Sequence, residues 1–281
     1  MDAPLVRTYL EALSDAPIDP GAIPRVRACL ASLQDPDVRY LVAAIVGPDA
    51  AAVGRVMSAV LEAAGAPTGT LGCSLDDITL SGIPLDDGLI AAAGTHAASA
   101  IYTLHETKPA LGETGRREAV VLLGLVAFAE GGRRVALLLD DAIREGDPTH
   151  APMPDLVVLT PAPPDAIARG LRLIPNGRPA VVAALGDDAR QPVVEWDKAT
   201  GSPLLLGGRD HEVRPDAGGR LTFVVRGEPY VSFDPIPGLD PVELSCALAS
   251  SLALGTLGIR MREDWFTAGL DALRSEAMVS T

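Results

Sequence analysis

Residues 41–65 read LVAAIVGPDAAAVGRVMSAVLEAAG, and this stretch decides the fold. The apolar run LVAAIV predicts a buried strand over residues 41–46. The letters GPD predict a tight turn at residues 47–49, and the apolar spacing that follows predicts a helix over about residues 53–65. A strand, a tight turn and a helix are the arrangement in which nucleotide-binding proteins hold a phosphate.

The turn itself lacks the side chains that phosphate binding uses. Residues 41–57 contain no lysine, serine or threonine, although a phosphate-binding loop needs a cation for the phosphates and a hydroxyl for Mg²⁺. Gly47, Pro48, Asp49 and Gly54 are therefore candidates for a degenerate phosphate-binding turn, and none is a confident cofactor ligand. The simpler interpretation is a plain turn that ends a strand.

Strand-like and helix-like segments alternate along most of the chain, which predicts a mostly parallel sheet with helices on both faces. Short runs such as PVVEW (192–196) predict a small antiparallel section around residues 190–233. A single domain over residues 1–281 is the simplest organisation. Its parts are an N-terminal helical lead-in (1–40), an α/β core (41–185), the strand-rich section (190–233) and C-terminal helices (241–281).

Composition excludes several classes of partner. The formal net charge of −14 at pH 7 disfavours nucleic acid and anionic lipid, which bind clustered cations. The longest apolar run, residues 119–129, is too short to span a bilayer, and the N-terminus lacks the apolar region of a signal peptide. Cys29, Cys73 and Cys246 are widely separated and show no metal-binding spacing. We therefore expect a cytoplasmic protein with no nucleic-acid partner, no membrane partner and no metal site.

Five stretches of the chain carry a resemblance to one enzyme family. In their order and spacing they resemble the ATP-binding central domain of Mur-type ligases, most closely the folylpolyglutamate synthase/dihydrofolate synthase family. The resemblance covers roughly residues 5–275 and implies a P-loop-NTPase-like α/β fold. The stretches are IDPGAIPRVRACLASLQDPDVRY (18–40), VMSAVLEAAGAPTGTLGCSL (56–75), ITLSGIPLDDGLIAAAG (78–94), FAEGGRRVALLLDDAIREGDPTHA (128–151) and IPGLDPVELSCALASSLALGTLGI (236–259).

The resemblance implies ATP-dependent amide-bond formation through an acyl phosphate, but the residues for that chemistry are missing. The family's phosphate-binding sequence G-T-N-G-K-G-S places its lysine at Ala50 or Ala51 and its hydroxyl at Ala52 or Val53. The family's metal-binding glutamate falls at Leu139, and a leucine cannot coordinate a hard cation.

Two further positions also lack the family's groups. The family's carbamylated lysine falls at Gly170–Leu171, and its later histidine falls at Asp240. Only Lys108 and Lys198 are lysines in this chain, so no local shift of the match supplies one. The chain also stops where the family's C-terminal domain is expected to begin.

Two clusters of polar residues are the residual ligand candidates. Asp140 and Asp141 follow the predicted strand VALLL, at a strand end where α/β proteins bind ligands, although a helix N-cap is the simpler interpretation. Asp147 and Thr149 match the family's loop, and His150 adds a titratable side chain in place of an asparagine.

Three functions follow as alternatives. The first is a non-catalytic homologue (a pseudoenzyme) that binds a protein partner, another copy of itself or a ligand, with no cofactor. The second is a divergent ATP-dependent ligase that binds ATP and Mg²⁺ and uses Arg55 or Arg144 in place of the lysine. The third is a small-molecule binding module that uses the strand-end cleft around residues 140–150.

Overall fold

The structure is a computed structural model that describes residues 1–15, 18–142, 144 and 146–279. Within these ranges the helices are α1 (Ala3–Ala12), α2 (Ala22–Ser32), α3 (Ala50–Ala63), α4 (Asp87–Thr107), α5 (Arg116–Glu130), α6 (Pro164–Leu171), α7 (Asp187–Thr200), α8 (Pro241–Gly255) and α9 (Glu263–Val279). The strands are β1 (Leu41–Val46), β2 (Thr68–Leu71), β3 (Ile78–Leu80), β4 (Ile83–Pro84), β5 (Val135–Asp140), β6 (Leu156–Leu159), β7 (Ala180–Val182), β8 (Leu204–Leu206), β9 (His211–Pro215), β10 (Leu221–Val225) and β11 (Glu228–Phe233).

The predicted α/β class with a mostly parallel sheet is confirmed. The described strands form an eight-stranded sheet in the order β4-β3-β2-β5-β1-β6-β7-β8 and a separate three-stranded sheet in the order β11-β10-β9. In the large sheet the pairs β2–β5, β1–β6, β6–β7 and β7–β8 are parallel, whereas β2–β3 and β3–β4 are antiparallel. Strand β1 is buried over almost its whole length, as its continuous apolar run predicts.

The predicted strand-rich section at 190–233 is only partly correct. Residues 211–233 form the antiparallel sheet, but PVVEW at 192–196 lies inside α7. The reason is the helical spacing of Ala189, Val193 and Trp196, which pack together on the apolar cluster of β1, β6, β7 and α6. Strand β8 then joins the large sheet by a parallel pairing with β7.

The chain divides into two compact units. The first unit comprises Met1–Val42, Pro67–Leu138 and Arg144–Met153, and the second comprises the remaining described residues. In the first unit, buried residues of α1, α2, α4 and α5 pack with residues of β2 and β5. In the second unit, β1, β6, β7 and β8 pack with α6 and α7. A single domain over residues 1–281 stays a prediction. Among the described residues, no helix has the length and apolarity needed to cross a bilayer.

His211, at the start of β9, is a buried polar residue that links three elements of the second unit. Its Nδ1 lies 2.7 Å from the Ser245 hydroxyl of α8, and its Nε2 lies 3.2 Å from the Val182 carbonyl of β7. The carbonyl can only accept, so Nε2 carries the proton and Nδ1 accepts from Ser245. Burial disfavours the charged form and lowers the pKa of His211 to about 4.

We predict that His211 makes folding sensitive to mild acid. Its pKa in the unfolded chain is about 6.5, so the unfolded state binds the proton first, and stability that is complete above that pH falls as the pH drops toward 4. Urea unfolding from pH 7.5 to 4 should show a loss about 3 kcal/mol larger in the parent than in His211→Gln, which does not titrate. If the free energies of unfolding of the two proteins fell by the same amount between pH 7.5 and 4, the fold would not be holding His211 neutral.

Candidate functional site

The turn between β1 and α3 (Gly47–Asp49, here the β1–α3 turn) is closed by contacts within the second unit. Gly47 has a φ of +123°, a conformation that side-chain-bearing residues rarely adopt. Its N–H donates to the Asp140 carbonyl over 2.7 Å. A side chain at Gly47 would collide with the Thr160 hydroxyl, which lies just past the end of β6. The turn therefore requires glycine, and its first amide points at a neighbouring strand.

The other amides of the turn are also occupied. Pro48 has no N–H. The Asp49 N–H donates to the Thr160 hydroxyl at 3.3 Å, and the Ala50 N–H donates to the Gly47 carbonyl at 3.0 Å. A phosphate cradle instead points successive backbone N–H groups at the ligand. From Gly47 to Ala50, no backbone position has an N–H left for a phosphate.

The positions that correspond to the family's lysine and hydroxyl lie in the first turn of α3. This helix begins at Ala50, three residues before the predicted start, because alanine is the strongest helix former and Ala50 is buried. Val53 is buried as well, whereas Arg55 points to solvent. Asp49 occupies the N-cap position and brings a negative charge to the place where a phosphate would approach.

Leu139, at the position of the family's metal-binding glutamate, makes an apolar contact. A Cβ added at Gly54 of α3 would lie 2.8 Å from Leu139 Cδ2 and 3.5 Å from Ile45 Cδ1. The end of β5 thus packs directly on the helix that follows the turn. Within the described ranges, no group of three or more His, Cys, Asp or Glu side chains could hold a metal ion.

The two carboxylates after β5 have different environments. Asp140 is buried, and its Oδ1 accepts from the Ala142 N–H at 3.1 Å. Asp141 is exposed. Residues 140–142 do not start a helix, so the helix N-cap interpretation is wrong for this pair. Both residues belong to the second unit, and their role as ligands stays a prediction.

Asp147, Thr149 and His150 lie in the first unit, in a short 3₁₀ turn. Asp147 is 1 % exposed and caps this turn by accepting from the Thr149 N–H at 2.9 Å and from its hydroxyl at 2.6 Å. Arg117 Nη2 lies 3.4 Å from the same carboxylate. These contacts give Asp147 and Thr149 a structural task, and a binding role for this cluster stays a prediction.

A cavity in the first unit was not anticipated from the sequence. Its volume is about 800 Å³. It is built from four separate segments of the chain, and Arg144 is the lining residue that the sequence offers as a functional candidate. The charged residues that line it are Asp15, Asp19, Arg25, Glu113, Arg117, Glu118 and Arg144.

The cavity contains a buried ion pair and an exposed thiol. Arg25 and Glu118 are 4 % and 5 % exposed, and they form two hydrogen bonds of 2.7 and 2.8 Å. Cys73, on the cavity wall, is the exposed member of the three cysteines. Burial raises the pKa of the Cys29 thiol to about 11 and that of Cys246 to about 12, so neither thiol ionises near neutral pH.

Comparison with known proteins supports the fold. No protein-family model matches the sequence, and no curated protein is significantly similar to it. Solved structures of folylpolyglutamate synthases do match, at 17–18% sequence identity. The apo form of the Lactobacillus casei protein has 18% identity and a TM-score of 0.85, over 97% of this chain and 72% of its own. The Mycobacterium tuberculosis protein complexed with ADP has 18% identity and a TM-score of 0.81, over 96% of this chain and 65% of its own.

A further match is a folylpolyglutamate synthase in complex with AMPPCP and folate, with 18% identity and a TM-score of 0.82 over 96% of this chain and 71% of its own. The predicted resemblance to the folylpolyglutamate synthase type of Mur ligase is therefore confirmed for the fold. At this identity the similarity concerns the fold and not the chemistry.

We predict that Gly47→Ala destabilises the chain by about 3 kcal/mol, because the new methyl group meets the Thr160 hydroxyl in an unfavourable backbone conformation. Gly65→Ala is the matched control. Gly65 also has a positive φ, of +69°, but nothing lies within 4 Å of an added Cβ, so its cost should be about 1 kcal/mol. Urea unfolding of both variants measures the difference. Equal losses would contradict a turn closed by Thr160.

Proposed function

We propose that the protein is a non-catalytic homologue of the folylpolyglutamate synthase type, which acts by binding rather than by ligation. The observation that carries this proposal is the hydrogen bonding of the β1–α3 turn. The N–H groups of Gly47, Asp49 and Ala50 all donate within the chain, and Pro48 has none. A nucleotide would have to break these bonds before the amides of Gly47, Asp49 and Ala50 could reach its phosphates.

The chain also lacks charged groups that the family uses to bind phosphate and metal, which adds to the free-energy cost of nucleotide binding. Phosphoryl transfer depends on cations that neutralise the developing charge on the phosphate oxygens. For comparison, loss of a single hydrogen-bond donor to a developing oxyanion lowers an enzymatic rate by roughly 10²–10³. Here the lysine, the hydroxyl and the glutamate are replaced by alanine or valine in α3 and by Leu139, and Asp49 adds a negative charge. These changes together disfavour phosphate binding and metal binding at the same place.

The cavity of the first unit supports binding of a small polar molecule as the function that remains. A volume of about 800 Å³ is within the range of ligand pockets, and its lining mixes guanidinium groups, carboxylates and apolar surface. Since one matched folylpolyglutamate synthase is a complex with folate, folate is the first probe. Binding of a protein partner or of a second copy of the chain stays a prediction beside it.

The ligase alternative has one observation in its favour, which is the fold itself. Matched structures are complexes with ADP and AMPPCP. This alternative requires arginines at the turn. Arg55 lies one turn into α3 and is exposed, whereas Arg144 belongs to the first unit and lines the cavity there.

We predict that calorimetric titration with ATP and Mg²⁺ gives no saturable heat at about 1 mM nucleotide, which places any dissociation constant above that range. The reason is that the β1–α3 turn has neither free amides nor a cation. Arg55→Ala should give the same flat titration as the parent. Micromolar binding that is lost in Arg55→Ala would overturn the proposal and favour the ligase alternative.

We predict that folate protects Cys73 from alkylation by iodoacetamide, with a rate at least about tenfold lower at saturation, because the thiol lies on the cavity wall. Mass spectrometry of the labelled protein measures the rate. Cys73→Ala is the control, since Cys29 and Cys246 are buried and should stay unlabelled. An unchanged Cys73 rate at millimolar folate would contradict folate binding in this cavity.

A further inference from the structure

The guanidinium group of Arg25 forms hydrogen bonds to three separate segments of the chain at the cavity. Arg25 lies on α2, and its Nη2 donates to Asp19 Oδ2 at 2.7 Å in the segment before that helix. Its Nη1 donates to the Leu111 carbonyl at 3.0 Å in the segment between α4 and α5. Its Nε and Nη2 donate to both oxygens of Glu118 in the first turn of α5.

The hydrogen-bonding capacity of Arg25 is almost fully used. These contacts are four hydrogen bonds, and a guanidinium has five N–H donors. A lysine offers three donors from one point and cannot match the two parallel bonds to Glu118. The hydrogen bond to Arg25 is also the main cause that lowers the pKa of Asp19.

The backbone beside Arg25 leaves no spare room. A Cβ added at Gly21 would lie 2.6 Å from Arg25 Nη1 and 2.8 Å from Asp19 Oδ1. The φ of Gly21 is −81°, which suits any residue, so an added side chain at Gly21 would act only by displacing the Arg25 and Asp19 side chains. On the opposite wall, Gly112 turns the chain with a φ of +84°, one residue after the carbonyl that Arg25 binds.

We propose that Arg25 is the positioning residue of the cavity: it fixes the segments around Asp19 and Leu111 to the start of α5, and so sets the shape that a ligand meets. This inference rests on the proposed binding function of the cavity. A pre-formed cavity lowers the ordering that a ligand must cause when it binds.

A buried ion pair is weak evidence of a contribution to stability. Replacement of a buried ion pair by neutral residues of similar volume is often neutral or stabilising, whereas removal of one partner is strongly destabilising. Removal of both charges together therefore distinguishes a role in positioning from a role in stability.

The test compares the full chain with Arg25→Met and with the double variant Arg25→Met, Glu118→Gln. The glutamine keeps an oxygen for the Gly115 N–H, which Glu118 accepts in the parent. Hydrogen–deuterium exchange is followed by mass spectrometry for the peptide that covers residues 109–116, and α8 is the internal reference. We expect the double variant to lose less melting temperature, relative to the parent, than Arg25→Met loses. Exchange in 109–116 should nevertheless stay at least tenfold faster than in the parent, with α8 unchanged.

A matched glycine pair keeps the test decisive if the double variant fails to fold. Gly21→Ala pushes a methyl group onto Arg25, whereas Gly186→Ala, also at a helix N-cap with negative φ, meets nothing within 4 Å. Only Gly21→Ala should speed exchange in 109–116. The proposal would be overturned if residues 109–116 exchanged at the parent's rate in the double variant or in Gly21→Ala. It would also be overturned if exchange in α8 became faster by the same factor. Since no ligand is needed, failure of folate to bind would be seen separately.

Discussion

The hydrogen bond from the Gly47 N–H to the Asp140 carbonyl determines what the β1–α3 turn can do. It holds the end of β1 against the end of β5 and requires a positive φ that glycine accepts most easily. The Thr160 hydroxyl then fills the space beside Gly47 and accepts the Asp49 N–H. The N–H groups that follow β1 thus donate to acceptors at the ends of β5 and β6. An open phosphate-binding loop would direct such N–H groups at its ligand.

Apolar side chains pack next to the closed turn. Ala50 and Val53 are buried in the first turn of α3, and Leu139 lies against Gly54. In the family match, Ala50 is the lysine position in one register, Val53 is the hydroxyl position in the other, and Leu139 is the carboxylate position. Polar groups at these places would need water or a ligand as partner. Small apolar side chains need neither water nor a ligand as partner.

Continuous local patterns could be predicted from the sequence. Strand β1 has the predicted bounds, because its run of six apolar residues ends directly at Gly47 and Pro48. The predicted start of α3 and the predicted strand at PVVEW (192–196) were wrong, since Ala50 and Val193 are fixed by burial against distant residues. The absence of the family's lysine and glutamate could be predicted from residue types alone. The occupied turn amides and the cavity were not, because both depend on residues far apart in the chain, such as Gly47 with Asp140 and Arg25 with Glu118.

The most direct test of the closed turn follows the amides themselves. Amide chemical shifts of Gly47, Asp49 and Ala50 can be recorded by NMR on deuterated protein during titration with AMPPCP and Mg²⁺. A turn whose N–H groups are held by Asp140, Thr160 and Gly47 predicts that these three signals stay in place at millimolar nucleotide. Saturable shifts of all three would show that the turn opens to receive phosphate, and would contradict a non-catalytic role.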